Sequence, residues 1–563
     1  MKLDKQRKII RPFLVVAILC LALALRVYRL NLNAPSLYAD EVSGHFLNWV
    51  SFALPFSSLL NWLYINLIVR TFSFTWLFGL TPLGARLPAA VYGTALVACL
   101  YFFAQSVEKE EGKKDRLVAL LTIILAAVLP WGIHLSRIGH TAIPIMLVFV
   151  CLHLILYLRA RGIKDYLLSV GPLLVATYYY SSMLIISPII FLLILKQLWS
   201  QLSRCQIKLL FPTLLILFVF WALVFSRWGA RGIDLAIWRD VNVTADTNIS
   251  RGLARLSEPT IFSLGQNPEV INRFFYNYPI SVISVFVKNY LSFFSPEFLF
   301  LKGDPVLRHS SGLVGIFFPF LLPFMVLGAF SLFRSSNRKI KEMFLIWILI
   351  SPVPAAITKD GFGYLLRVAT ILPFLTYLAA LGLTESVRVI RGKLMKRLYI
   401  VGLVLISSYS VFYFLFGYFQ IYPALAAKSH EFGFKEVSDF QAAHDSKPLL
   451  VIWDGYYPHS YFRFWQVTPA KEYFQFVPRN LQINQTIFYQ MFPNLFFSLP
   501  KNEFDLQEFV GKNLVSYLAF PADLAEKFSD YSFLKFSPLA TVFYPDRSAA
   551  FFIYSAERFE GKR

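Results

Sequence analysis

Cysteine is nearly absent from this chain: Cys20, Cys99, Cys151 and Cys205 are the only four in 563 residues, and residues 421–563 contain none. Neither a disulfide framework nor a zinc-type spacing can be drawn from them, so whatever folds after residue 420 must be stable by packing. Charge is scarce as well. Asp, Glu, Lys and Arg make up 15% of the chain, against about 25% in soluble domains. There is no Walker A loop and no dinucleotide-binding fingerprint, and so no sign of a nucleotide-driven motor. No metal-ligand spacing or certain cofactor is recognisable, although lone acids leave a divalent cation open.

What replaces charge is apolar surface: 57% of residues are hydrophobic and the mean hydropathy is +0.56. Lipid is the solvent that suits such a composition. The formal net charge of +21 does not indicate nucleic acid, because the basic residues punctuate apolar runs instead of forming one patch. That pattern is the positive-inside signature. The basic leader, residues 1–11, carries Lys2, Lys5, Arg7, Lys8 and Arg11. A first span over 12–30 follows, too long an apolar run for a cleaved signal peptide.

Further spans are expected near 86–105, 117–133, 142–158, 166–182, 183–199, 209–226, 313–333, 344–358, 368–385 and 398–420. The expected fold is therefore an all-α polytopic membrane domain over 12–420, with about eleven spans. Lys and Arg recur in alternate loops, from Lys113, Lys114 and Arg116 to Lys396 and Arg397, which places the N-terminus in the cytoplasm and the C-terminus outside. Two outer loops, 31–85 and 227–312, are too long to be connectors. Amphipathic patterns at Glu41–Leu54, Leu59–Thr71 and Ile280–Phe294 predict helices in the membrane interface.

Residues 421–563 read as an extracytoplasmic α/β domain. A helical period over Gly433–His444 leads to a buried-strand run at Leu449–Trp453, and another run occupies Leu514–Phe520. Ala540–Tyr544 and Ala549–Tyr554 flank Pro545-Asp546-Arg547-Ser548, as a hairpin does.

Chemistry-bearing residues gather at the outer ends of spans, where polar clusters tend to mark a site. Asp40 and Glu41 stand together just past the first span. A poorly solvated carboxylate there suits a general base, while acids also cap helix N-termini, here one expected to start at Val42. His134, Ser136, Arg137 and His140 form a second group; Arg137 suits either a phosphate or an ion pair with Asp40 or Glu41. The third comprises Glu297, Lys302, Asp304, Arg308 and His309, and the fourth Asp360 with Arg367.

On these residues the chain resembles the bacterial relatives of protein O-mannosyltransferases and aminoarabinose transferases. They are membrane glycosyltransferases of the GT-C fold, and the likeness is to the family 39 group in particular. It covers about residues 12–420. It rests on Pro35 to Glu41, Arg86-Leu87-Pro88, Pro130 to Ile138, Ser295 to His309, and Arg367 near Pro373. The resemblance implies transfer of a sugar from a polyprenyl-phosphate donor to a lipid, glycan or protein acceptor at the outer face of a plasma membrane. It makes Asp40 the base, Glu41 its support, and Arg137, Arg367 and Lys302 candidates for the donor phosphate. His140, Glu297, Asp304, Arg308, His309 and Asp360 are then candidates for substrate binding. A carboxylate that the relatives carry near the start of the fourth span has no counterpart in Gly139-His140-Thr141.

The alternative is a transporter or flippase of lipid-linked cargo, and a third reading is a non-catalytic partner of an envelope enzyme. Transporters hold their ionisable groups near the bilayer midplane in repeated, broken helices; here the charges sit at span ends. The enzyme reading expects Asp40 and Arg367 to face one outward cavity.

Overall fold

A computed structural model describes the chain apart from residues 1, 45–73, 114–115, 200–217, 226–231, 257–272, 445, 454–457, 467–475 and 558–563. Two compact units result. Met1–Arg26, Val91–Ser136 and Thr141–Leu415 form a helical unit; Val27–Ala90, Arg137–His140 and Phe416–Arg563 form a unit that carries a β-sheet.

Helices occupy the apolar runs: Lys2–Val27, Pro82–Glu110, Leu117–Val128, Ala142–Arg159, Ile163–Tyr179, Met183–Trp199, Leu322–Arg334, Arg338–Ile350, Leu372–Val389 and Lys393–Gln420. Of the run near 209–226, only 218–225 is described, and it is helical. Among the described residues, Pro82–Glu110, Ala142–Arg159, Leu365–Val389 and Lys393–Gln420 are long and apolar enough to cross a membrane. Leu117–Val128, Met183–Trp199 and Pro319–Arg334 are shorter apolar helices.

Two runs expected to be continuous are broken at prolines. The helix from Leu117 stops at Val128 and Leu129 is extended, because Pro130 has no N–H and disfavours a helical residue before it. Two carbonyls this frees are taken by buried Arg26, which donates to Ala126 at 3.1 Å and Ala127 at 3.2 Å, and also to Gly132 beyond the break at 3.1 Å. The run 344–358 likewise splits, with Arg338–Ile350 followed by the short helix Val353–Ala356. Helices Leu322–Arg334 and Leu372–Val389 cross at glycines. A Cβ on Gly328 would stand 2.0 Å from the Leu378 carbonyl oxygen, and one on Gly382 1.7 Å from that of Phe324. Backbones approach this closely only through small residues, the usual packing device within lipid.

In the second long loop, the helix expected from Ile280 is Tyr278–Ser292, started by Asn277, which accepts from the Ile280 N–H at 3.0 Å. An unanticipated helix, Val241–Leu256, is tied to it by a 2.7 Å hydrogen bond between Thr247 and Ser281. The two interfacial helices expected in the first loop lie outside the described residues from 45 onward.

Among the described residues the sheet has seven strands: β1 (Leu449–Ile452), β2 (Arg479–Ile483), β3 (Thr486–Phe492), β4 (Leu495–Ser498), β5 (Tyr517–Pro521), β6 (Ala540–Phe543) and β7 (Ala549–Ser555). Their order is β2-β3-β4-β1-β5-β7-β6, with β4, β1 and β5 parallel and the other pairs antiparallel. All four residues of β1 are fully buried, as expected of a central parallel strand covered on both faces. Leu449 and Val451 face a core with Phe434, Tyr461 and Phe551; Leu450 and Ile452 face another with Leu506, Phe509 and Phe520. The run from Leu514 joins the sheet only at Tyr517. Opposite Ser516 stands Pro448, which has no N–H to continue the ladder, though its carbonyl accepts from Ser516 at 2.8 Å.

Candidate active site

The acidic segment packs into the sheet-bearing unit. Leu37 and Val42, on either side of the two acids, are fully buried in the core that holds Phe434, Leu449, Val451 and Tyr461. Between them, Tyr38 stacks on His430 at 5.8 Å between ring centroids, and its hydroxyl lies 3.2 Å from His140 Nδ1. Helix begins at residue 39 rather than at Val42. It starts there because carboxylates take its first free N–H groups. Glu41 reaches back to the Tyr38 N–H at 3.1 Å, half of a capping box, and Glu431 Oε2 accepts from the Ala39 N–H at 2.9 Å. Glu431 Oε2 also accepts from the Tyr461 hydroxyl.

Glu41 and Arg86 form an ion pair in which each is 1% exposed. Arg86 Nε donates to Glu41 Oε1 at 3.0 Å and Nη2 to Oε2 at 3.2 Å. The remaining guanidinium hydrogens reach the carbonyls of Leu30 (3.3 Å), Ala34 (2.9 Å) and Ser36 (2.5 Å). All five arginine donors are thus used, which is what a buried ion pair requires. The Gly139 N–H completes the arrangement, donating to Glu41 Oε1 at 2.5 Å. A Cβ on Gly139 would lie 2.9 Å from Glu41 Cγ and Oε1. Glu41 thus occupies the space that a side chain at 139 would need.

The partner of Glu41 is Arg86, not Arg137. Arg137 is buried, donates to the Asn33 carbonyl at 3.3 Å, and places its guanidinium carbon 5.7 Å and 5.0 Å from the Tyr418 and Phe419 ring centroids. Asp40 differs from every neighbour. It is exposed, on the first turn of the helix, with no hydrogen-bond or ion-pair partner among the described residues.

The other candidates belong to the helical unit. Arg367 holds Asp360 bidentately, at 2.6 and 3.0 Å, and donates to Thr358 at 2.5 Å. Its guanidinium carbon stands 4.2 Å from the Tyr364 ring centroid. Burial by itself would raise the Asp360 carboxyl, but hydrogen bonds and charge from Arg367 outweigh it and hold the group below its ordinary range. Asp304 is buried and turned inward, accepting from His309 Nδ1 at 2.9 Å and from the N–H groups of Val306 at 2.8 Å and Leu365 at 2.7 Å. Arg308 gives its carbonyl to His134 Nε2 at 3.2 Å. Glu297 and Lys302 are exposed and paired at 2.9 Å.

The predicted residues thus fall into separate groups, Asp40, Glu41, Arg137 and His140 in one unit and the rest in the other. Among the described residues no set of three or more His, Cys, Asp or Glu side chains is placed to hold a metal ion. Sequence reasoning named Arg86 without a role; an arginine opening the second expected span was the available signal. It missed Glu431, whose tie to Ala39 crosses 392 positions and leaves no local trace.

No family model matches the chain, and no curated protein matches it. Similar solved structures include the Archaeoglobus fulgidus oligosaccharyltransferase in its apo form, at 12% identity and TM-score 0.46, covering 96% of this chain and 74% of that one. Another is ArnT from Cupriavidus metallidurans bound to undecaprenyl phosphate, at 13% identity and TM-score 0.43, covering 98% and 99%. Likenesses this distant carry no functional argument, which rests instead on the chain's own residues.

Proposed function

We propose that the protein is a membrane glycosyltransferase with Asp40 as its general base. It moves a hexose or pentose from a polyprenyl-phosphate donor to a lipid, glycan or protein acceptor at the outer face of the plasma membrane. In this reading the chain crosses the bilayer about eleven times, N-terminus inside, and the sheet lies outside.

One observation carries the reading. From Leu37 to Val42 every residue but one is packed, capped or ion-paired, and the exception is a carboxylate. A general base needs such a rigid mount and an open face. Asp40 accepts the proton of the acceptor hydroxyl as that oxygen bonds to the anomeric carbon. The bond from that carbon to the phosphate oxygen breaks, and the polyprenyl phosphate leaves with the electron pair. A single displacement of this kind inverts the anomeric centre.

On the donor side, Arg367 is the leading phosphate ligand, since its guanidinium lies over the Tyr364 ring and is balanced by a carboxylate that an incoming phosphate can replace. Arg137 and Lys302 remain secondary candidates.

The test uses the full chain in lipid nanodiscs, sugars radiolabelled on undecaprenyl phosphate, and total envelope extract as acceptor. Asp40→Asn is expected to lower transfer by about 100- to 10,000-fold, with an inverted product by NMR. Undiminished transfer by the variant would remove Asp40 from the chemistry, and a retained configuration would exclude single displacement.

A further inference from the structure

We propose that Glu431 is the positioning residue for Asp40, so that the sheet-bearing unit acts on turnover and not only on acceptor choice. This rests on the assignment of Asp40 as the base.

A linked set of contacts leads from the sheet to the acid. Phe434 and Tyr461, both in the core beside β1, stack at 4.6 Å between centroids with ring planes 14° apart. That stack fixes the Tyr461 hydroxyl, which donates to Glu431. Glu431 in turn holds the N–H of Ala39, the residue immediately before Asp40. One oxygen, Oε2, takes both hydrogen bonds, so the core sets the place of the Ala39 amide through a single atom.

The backbone supports a selected role for this side chain. Glu431 has φ 51°, a left-handed conformation that a residue with a Cβ adopts less readily than Gly or Asn. A glutamate held there, with its carboxylate closing onto a distant main-chain N–H, fits a position chosen for what its side chain reaches. The neighbouring residue adds a second hold on the segment. His430 stacks on Tyr38, and its Nε2 lies 3.1 Å from the Tyr422 hydroxyl. Leu37, Val42 and Glu41 bury the segment; the Glu431 bond holds the Tyr38–Ala39 peptide, one unit before Asp40, and Ser43 Oγ donates to the Ala39 carbonyl at 2.6 Å.

The proposal is tested on the full-length protein with Glu431→Ala, Glu431→Gln and Asp40→Asn. Loss of the acceptor oxygen in Glu431→Ala is expected to lower kcat by about 10- to 100-fold, the penalty of a base displaced by around 1 Å, with the donor KM unchanged. Glu431→Gln keeps a carbonyl oxygen in place and returns kcat to within a few-fold of wild type. Hydrogen exchange read by mass spectrometry follows the same division: amides of the 38–44 segment exchange faster in the alanine variant and at the wild-type rate in the glutamine variant. Unchanged exchange in Glu431→Ala, or a rise in KM at constant kcat, would overturn the positioning role. If Asp40→Asn transfers sugar normally, the fault lies in the underlying assignment of the base. If Asp40→Asn is inactive while Glu431→Ala turns over normally, the base stands and the positioning role fails.

Discussion

Two arginine–carboxylate pairs in this molecule meet opposite conditions. Glu41–Arg86 is sealed, with both side chains at most 1% exposed and all five guanidinium donors committed. Asp360–Arg367 is open, its carboxylate side chain 46% and its guanidinium 13% exposed. In the first, the charges hold the segment that presents Asp40. In the second, solvent and anions can reach the arginine, which can exchange its partner. A buried, fully satisfied pair serves the fold; an accessible one is available for chemistry.

Arg86→Met would leave the Glu41 carboxylate buried without its countercharge, a loss of about 3–5 kcal/mol; the expected readout is collapse of the folded fraction on size exclusion and a large fall in Tm.

His459 contrasts with the sealed pair: it is half-buried and stands near a like charge. Burial, then the nearby positive charge of Arg463, lowers its pKa to about 4 from an ordinary 6.5. Because the unfolded chain binds the proton more readily, the stability from a neutral His459 is complete above about pH 6.5 and lost as pH falls towards 4. The difference is on the order of 3 kcal/mol, so His459→Asn should melt with a shallower acid dependence than wild type.

Gly139→Ala tests the closeness of the sealed pair. A methyl group 2.9 Å from Glu41 Cγ should cost about 1–3 kcal/mol by overpacking, read as a lowered Tm. The smallest stability effect belongs to the open pair. Asp360→Asn should change stability by less than about 1 kcal/mol and, by freeing Arg367 for a phosphate, lower the donor KM; Arg367→Gln should raise it.

Much of the fold was legible because its signals are local. Apolar runs gave the helices, and a continuous run gave β1, which is buried on both faces. The breaks at Pro130 and Pro352 fall inside runs whose apolar character continues through them. Strands β2, β3 and β4 were not read. Their turns are Asn484-Gln485, with φ 47° at Asn484, and Pro493-Asn494, neither of which is the Asn-Gly or Asp-Gly that marks a tight hairpin. At the site, the resemblance made Asp40 the base and Glu41 its support, while the residues alone did not tell the two acids apart. Their different environments depend on Arg86, Gly139 and Glu431, contacts made at 45, 98 and 392 positions' separation, which no local pattern encodes.

On the proposed function these two neighbouring carboxylates divide the work, Glu41 holding the segment and Asp40 doing chemistry. Tm and turnover measured together on Asp40→Asn and Glu41→Gln test it most directly. Asp40→Asn should keep the wild-type Tm and lose transfer, whereas Glu41→Gln, which leaves Arg86 buried and uncompensated, should lose Tm first. Equal melting losses in both variants, or full transfer by Asp40→Asn, would contradict it.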